Sequence, residues 1–154
     1  MSVGTNGISA QGTIVSRSKD PNWPDNDPQG GSVTFVDIAE LMDITSPALT
    51  RKAIETTSHN QSSDRYIVGV KRHSECTMSI NFIPGNSTHD HLTGLQQAWD
   101  DGSRDIYQLT YPTGDKQIFS GFITNFAVKA PVDDRLSADV SIRPTGDHDW
   151  VEAP

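Results

Sequence analysis

The chain has 154 residues, enough for one domain with a substantial core and too few for two. Its 12 Lys and Arg stand against 20 Asp and Glu, a formal balance of −8, which argues against tight binding to a nucleic-acid backbone or an anionic membrane surface. A single cysteine, Cys76, excludes a disulfide-stabilised scaffold, and no apolar stretch is long enough to cross a bilayer.

In chain order, residues 1–31 are rich in Gly, Ser, Asn, Asp and Pro and offer little to bury, so they read as a polar N-terminal arm. The first residues have neither the basic start nor the apolar middle of a signal peptide, and the chain is expected to be made and used in a cytoplasm. Trp23 stands out between prolines; it can anchor the arm on a neighbouring surface or pack back on its own domain. Strand character begins at Ser32. Residues 33–42 have strand-like density, and residues 53–57 repeat it weakly. The stretch from Thr56 is polar, and long polar loops in compact domains usually serve a function. Ser58, His59, Asn60, Gln61, Ser62, Ser63, Asp64 and Arg65 are therefore candidate contacts with a partner subunit.

The clearest local signal follows. Cys76, Met78, Ile80 and Phe82 are apolar while Glu75, Thr77, Ser79 and Asn81 are not, the period of a strand with one buried face. A short helix comes next: Ser87 or Thr88 can cap it, Asp90 suits its first turn, Leu92, Leu95 and Trp99 share one face, and Gly102 ends it. Residues 106–111 and 117–128, the second run carrying Phe122 and Phe126, are joined by Pro112-Thr113-Gly114-Asp115 and predict a hairpin. Leu136, Ala138, Val140 and Ile142 repeat the alternation before a C-terminal tail over residues 147–154. The whole predicts a mainly β protein, an antiparallel β-sandwich or barrel over residues 32–146 with one flanking α-helix. Its core list is Met78, Ile80, Phe82, Leu92, Leu95, Trp99, Phe122, Phe126, Leu136, Val140 and Ile142.

Catalytic constellations are not apparent. His89-Asp90-His91 is the densest group of potential metal ligands, but residues two apart on a helix point to different sides, so it reads as a solvated first turn. Asp147-His148-Asp149 reads as exposed tail. Cys76 falls on the apolar face of a strand, which favours an inert thiol. No serine sits in a nucleophile elbow, and the N-terminal glycines match neither a P-loop nor a dinucleotide fingerprint. No catalytic residue, metal or cofactor is expected, and a hydrolase is the least favoured reading. A small-ligand-binding β-barrel is compatible with the strand pattern alone.

The ordered set Ile80-Asn81-Phe82-Ile83-Pro84-Gly85, Thr88-His89, and Thr110-Tyr111-Pro112-Thr113-Gly114 resembles the major tail tube protein of long, flexible-tailed bacteriophages. Phe119-Ser120-Gly121-Phe122-Ile123-Thr124-Asn125-Phe126, Ala130-Pro131-Val132-Asp133-Asp134-Arg135-Leu136-Ser137-Ala138 and Thr145-Gly146 extend the resemblance, and Asp43-Ile44-Thr45-Ser46-Pro47-Ala48-Leu49 carries it upstream. It covers roughly residues 33–146. The resemblance implies a structural virion protein without enzymatic activity: a β-sandwich assembled as hexameric rings, stacked into a hollow tail tube through which DNA passes without specific binding. Its implied partners are further copies of itself and the tape measure, tail terminator and tail tip proteins, with no membrane. It would reside in the virion tail after assembly in the bacterial host cytoplasm. The arm before Ser32 is longer and richer in proline than the family pattern, and the absence of an added immunoglobulin-like domain after Gly146 implies a smooth outer surface. Tubes of contractile tails, tail-like bacteriocins and secretion systems are the neighbouring alternatives.

Overall fold

The structure is a computed structural model that describes residues 11–18 and 35–152. Trp23 and most of the expected arm lie outside the described residues. Among the described residues, nine strands and one helix follow in order: β1 (Ile14–Ser18), β2 (Val36–Asp37), β3 (Leu41–Thr45), β4 (Leu49–Glu55), β5 (Tyr66–His73), β6 (Cys76–Asn81), α1 (Leu95–Asp101), β7 (Asp105–Thr110), β8 (Lys116–Lys129) and β9 (Ser137–Val151). Seven form one antiparallel sheet in the order β2-β1-β7-β8-β9-β6-β3, and β4 and β5 form a separate two-stranded ribbon.

The seven-stranded sheet must curve strongly, because residues far apart in strand order share one core. Val15 of β1, Tyr107 and Leu109 of β7, Phe119 and Ile123 of β8, Val140 and Ile142 of β9, and Cys76 and Ile80 of β6 form a single buried cluster. The long strands β8 and β9 carry the bend. Their register shifts between Ile118 and Ser120 and again between Ile123 and Asn125, and such bulges bend a strand and increase its twist. Gly121 sits between the two shifts, where an added Cβ would lie 2.6 Å from the Arg143 carbonyl oxygen. Helix α1 closes the cluster by burying Leu95 and Ala98.

The β7–β8 hairpin turns where the Pro-Thr-Gly-Asp sequence predicts it. Gly114 adopts φ +94°, Gly114 N–H donates to the Tyr111 carbonyl at 2.8 Å, and Tyr111 N–H donates to the Asp115 carbonyl at 2.9 Å. Met78, Ile80, Leu95, Val140 and Ile142 are buried. Phe82 and Phe126 are half-buried and meet edge to face, with centroids 5.5 Å apart, and Leu136 is half-buried.

Several sequence expectations need correction. Residues 14–18 do not belong to a polar arm: β1 pairs with β7 along its whole length, and Val15, Ser16, Arg17 and Ser18 are buried. Its two leading apolar residues sit in polar surroundings, which hid it. Residues 147–151 continue β9 and pair with the start of β8, so the backbone there is strand rather than tail. The run 33–42 is broken, for a turn at Ala39 and Glu40, with Glu40 at φ +59°, separates β2 from β3. Leu92, Trp99 and Phe122 are not core residues, being 69%, 51% and 38% exposed. Leu92 lies in turns before the helix, Trp99 points off the Leu95–Ala98 stripe, and Phe122 alternates outward beside buried Ile123.

The helix starts late for a local reason. The Asp90 carboxylate accepts from Thr93 N–H at 2.8 Å, and the Thr88 hydroxyl both donates to Asn86 at 2.6 Å and accepts from Ala39 N–H at 3.2 Å. These side chains satisfy turn backbone instead of a helix terminus. The N-cap position falls to Gly94, whose Cβ would otherwise meet Asp90 N at 2.4 Å.

Candidate assembly surface

Strands β4 and β5 pair with each other and with no other described strand. Their sequence favours strand, since Tyr66, Ile67, Val68 and Val70 are β-branched or aromatic, yet among the described residues all four stay exposed. Val70 is 74% exposed, Val68 68%, Leu49 63% and Tyr66 57%. An isolated two-stranded ribbon is marginal in water, so exposed apolar groups on such a ribbon mark a surface for another chain.

The candidate contacts at residues 58–65 form the tip of this ribbon. They are exposed, apart from half-buried Gln61. The tip is closed by hydrogen bonds: Thr56 N–H to the Arg65 carbonyl at 2.8 Å, Arg65 N–H to the Thr57 hydroxyl at 2.8 Å, and Ser58 N–H to the Gln61 side-chain oxygen at 2.9 Å. What the sequence presents as a polar link is therefore the cap of a ribbon that carries both exposed apolar and basic side chains. The apolar run from Tyr66 was the signal that could have revealed it.

A second surface lies across β3, β6 and β9. The register places Asp43 beside Ser79 and Ser79 beside Asp139, and in the next outward row Thr45 beside Thr77 and Thr77 beside Ser141. Met78, Ile80, Val140 and Ile142 point the other way, into the core. The outward face is thus made of small hydroxyls and two carboxylates, and a shallow groove of about 340 Å³ runs over it. Asp139 accepts from Lys129 Nζ at 2.7 Å and from the Ser79 hydroxyl at 3.0 Å, and these two donors hold its carboxyl below the usual carboxylate range. The outer edges of the sheet, β2 and β3, each lack a second strand partner among the described residues.

The chemically suggestive groups are structural. His89 is fully buried rather than solvated: its Nε2 lies 2.7 Å from the Ala39 carbonyl, and Ile83 N–H donates to its Nδ1 at 3.2 Å. Those bonds tie the turn before β3 to the loop after β6. Burial pushes the Cys76 thiol up to about 12, which keeps it protonated and unreactive. Among the described residues no group of three His, Cys, Asp or Glu is placed to hold a metal ion.

Among the described residues these features define a mainly antiparallel β fold, one strongly curved seven-stranded sheet with a flanking helix, and a β-ribbon that pairs with no strand of that sheet. Residues 24–151 match the family described as lambda phage tail tube protein, TTP, and the chain belongs to that family. Solved structures share the fold at low identity. The tail subunit of an empty gene transfer agent particle is similar with a TM-score of 0.69 at 15% identity, covering 94% of this chain and 99% of that one. The SPP1 tail tube is similar at 0.66 and 10% identity, covering 94% and 78%. A chain from the sheath/tube terminator of an extracellular contractile injection system is similar at 0.64 and 12%, covering 97% and 99%. A sequence search of curated proteins finds no match.

Proposed function

We propose that this tail tube protein polymerises through its own surfaces into stacked rings that form the wall of a phage tail, the conduit for DNA delivery. The observation that carries the reading is the uncovered β4–β5 ribbon on a chain of the tail tube family. A heterologous contact repeated about an axis closes into a ring, and a second contact along the axis extends the ring into a tube. In this reading the outer edges of β2 and β3 meet across subunits, which removes open edges that would otherwise template aggregation. The ribbon, with residues 58–65 at its tip, reaches a neighbouring ring. The polar face of β3, β6 and β9 stays in contact with water and supplies lumen wall.

A six-membered ring is the favoured number, and it has a precedent in the sixfold symmetry of the gene transfer agent tail. The role is structural and needs no catalytic site. Assembly takes place in the bacterial host cytoplasm, with the tape measure, terminator and tip proteins as partners at the ends and along the axis. Negative-stain microscopy of the purified chain at high concentration tests this, with rings or tubes having a central hole expected. Only monomer at every concentration, with and without a tail-initiating complex, would overturn it. Shortening residues 58–65 is expected to leave the melting temperature intact and to stop tube growth; normal growth would reduce the tip to a connector.

A further inference from the structure

Charge is divided unevenly between the ribbon and the body. From Leu49 to His73 the chain carries five Lys and Arg against Glu55 and Asp64, a balance of +3. The whole chain stands at −8, so the remaining residues hold seven basic against eighteen acidic groups, or −11. The cations are also concentrated. Four of the five cluster toward the root: Arg51 lies directly opposite Lys71, Arg72 pairs with Thr50, and Lys52 occupies the bulge between Arg51 and Ala53, while Arg65 lies toward the tip with Glu55 and Asp64. None of the ribbon's five cations forms an ion pair among the described residues. Like charges opposite one another in a β-pair destabilise it, so the root of the ribbon is placed at a cost that an anionic surface would relieve.

We propose that the ribbon docks on the acidic body of a second copy of this chain, and that the attraction between the two regions sets the rate and salt dependence of assembly. The proposal rests on the self-assembly reading above. Charge complementarity steers encounter and suppresses wrong partners, and it weakens as salt screens it. A second copy fits better than nucleic acid because exposed Val68 and Val70 lie on the same ribbon as the cations. A protein surface covers such apolar groups, whereas a phosphate backbone leaves them wet.

Sedimentation and light scattering of the full chain test this across a series of salt concentrations. Wild type is expected to assemble more slowly and less tightly as salt rises. The pair Arg51→Glu with Lys71→Glu is expected to weaken association on the order of tenfold or more at low salt. The neutral pair Arg51→Gln with Lys71→Gln should fall between and flatten the salt response, while Val68→Ser with Val70→Ser should weaken association and leave that response steep. Each variant is first matched to wild type in melting temperature, and a variant that fails is replaced by the corresponding single substitution. Assembly of wild type that is indifferent to salt and to reversal would overturn this proposal and leave self-assembly standing. No assembly by wild type under any condition would overturn the reading beneath it. A short duplex DNA that binds the free chain more tightly than the chain binds itself, and is lost on reversal, would assign the cations to nucleic acid and overturn the proposal.

Discussion

Arg17 and Asp105 join β1 to the start of β7 through a buried ion pair. Arg17 Nε lies 2.9 Å from the Asp105 carboxylate, with the two side chains 8% and 4% exposed. Removing one partner leaves a buried charge alone, so Asp105→Ala or Arg17→Ala is expected to cost about 3 to 5 kcal/mol in denaturant unfolding. A loss below about 1 kcal/mol, the size of an exposed pair, would mean that water reaches the bridge. Tyr107, two positions along β7, should respond in the opposite sense. Its hydroxyl is buried without a hydrogen-bond partner among the described residues, and burial followed by the nearby Asp105 charge pushes its pKa up, so it stays protonated. Tyr107→Phe is expected to leave stability unchanged or raise it by about 1 kcal/mol, because it deletes an unsatisfied group and keeps the ring stacked near Phe119. A clear loss would reveal a partner for the hydroxyl. On the outward face, Lys129 and Ser79 lower the pKa of Asp139 in the folded state, so its stabilisation is present above the unfolded value and is lost as pH falls through the folded one. Both members of the Lys129–Asp139 pair are well exposed, 65% and 42%, so Asp139→Asn should change acid stability only slightly.

At the scale of elements, strands with one buried face were legible because period-two alternation survives in sequence: β6 and the first half of β9 read directly from Met78, Ile80, Val140 and Ile142. The β7–β8 hairpin was legible through its turn residues. What could not be read was set by contacts distant in the chain. Strand β1 is buried on both faces by its neighbours and so has no alternation to show, and His89 is internal because Ala39, fifty residues earlier, supplies its partner. The ribbon is half legible: its polar tip reads as a contact site and the end of β4 as the weak strand 53–57, but β5 shows no alternation, because Tyr66, Ile67, Val68 and Val70 are exposed alike and no buried face selects every second residue. The bend in β8 gives an element-scale test. Gly121 faces the Arg143 carbonyl so closely that Gly121→Ala must move backbone, and it is expected to destabilise by about 1 to 3 kcal/mol, read as a lower melting temperature. Trp99→Ala is expected to leave the melting temperature almost unchanged, since half the ring already faces water and Leu95 and Ala98 carry the packing of α1. A loss in the range of a buried aromatic, about 3 to 5 kcal/mol, would place Trp99 in the core after all.

For the whole molecule, a charge of −8 and a basic ribbon describe, under the docking proposed above, a subunit whose ribbon cations would be covered in contacts between copies. Assembly then leaves carboxylates and hydroxyls on the surfaces that remain wet, among them the row Asp43, Ser79 and Asp139. A conduit benefits from such a wall, because grip on DNA comes from cations that displace counterions from phosphates, and a wall with few of them lets the polymer move. Two expectations follow for duplex DNA at low salt, where attraction is least screened. Assembled tubes should bind it weakly or not at all, and they should bind it less well than free subunits, whose ribbon cations are still exposed. Filter binding on the two states of the same preparation measures both. Micromolar or tighter binding by tubes, falling steeply with added salt, would place Lys and Arg on the inner wall, and the passive conduit would give way to a tube that holds its DNA until ejection.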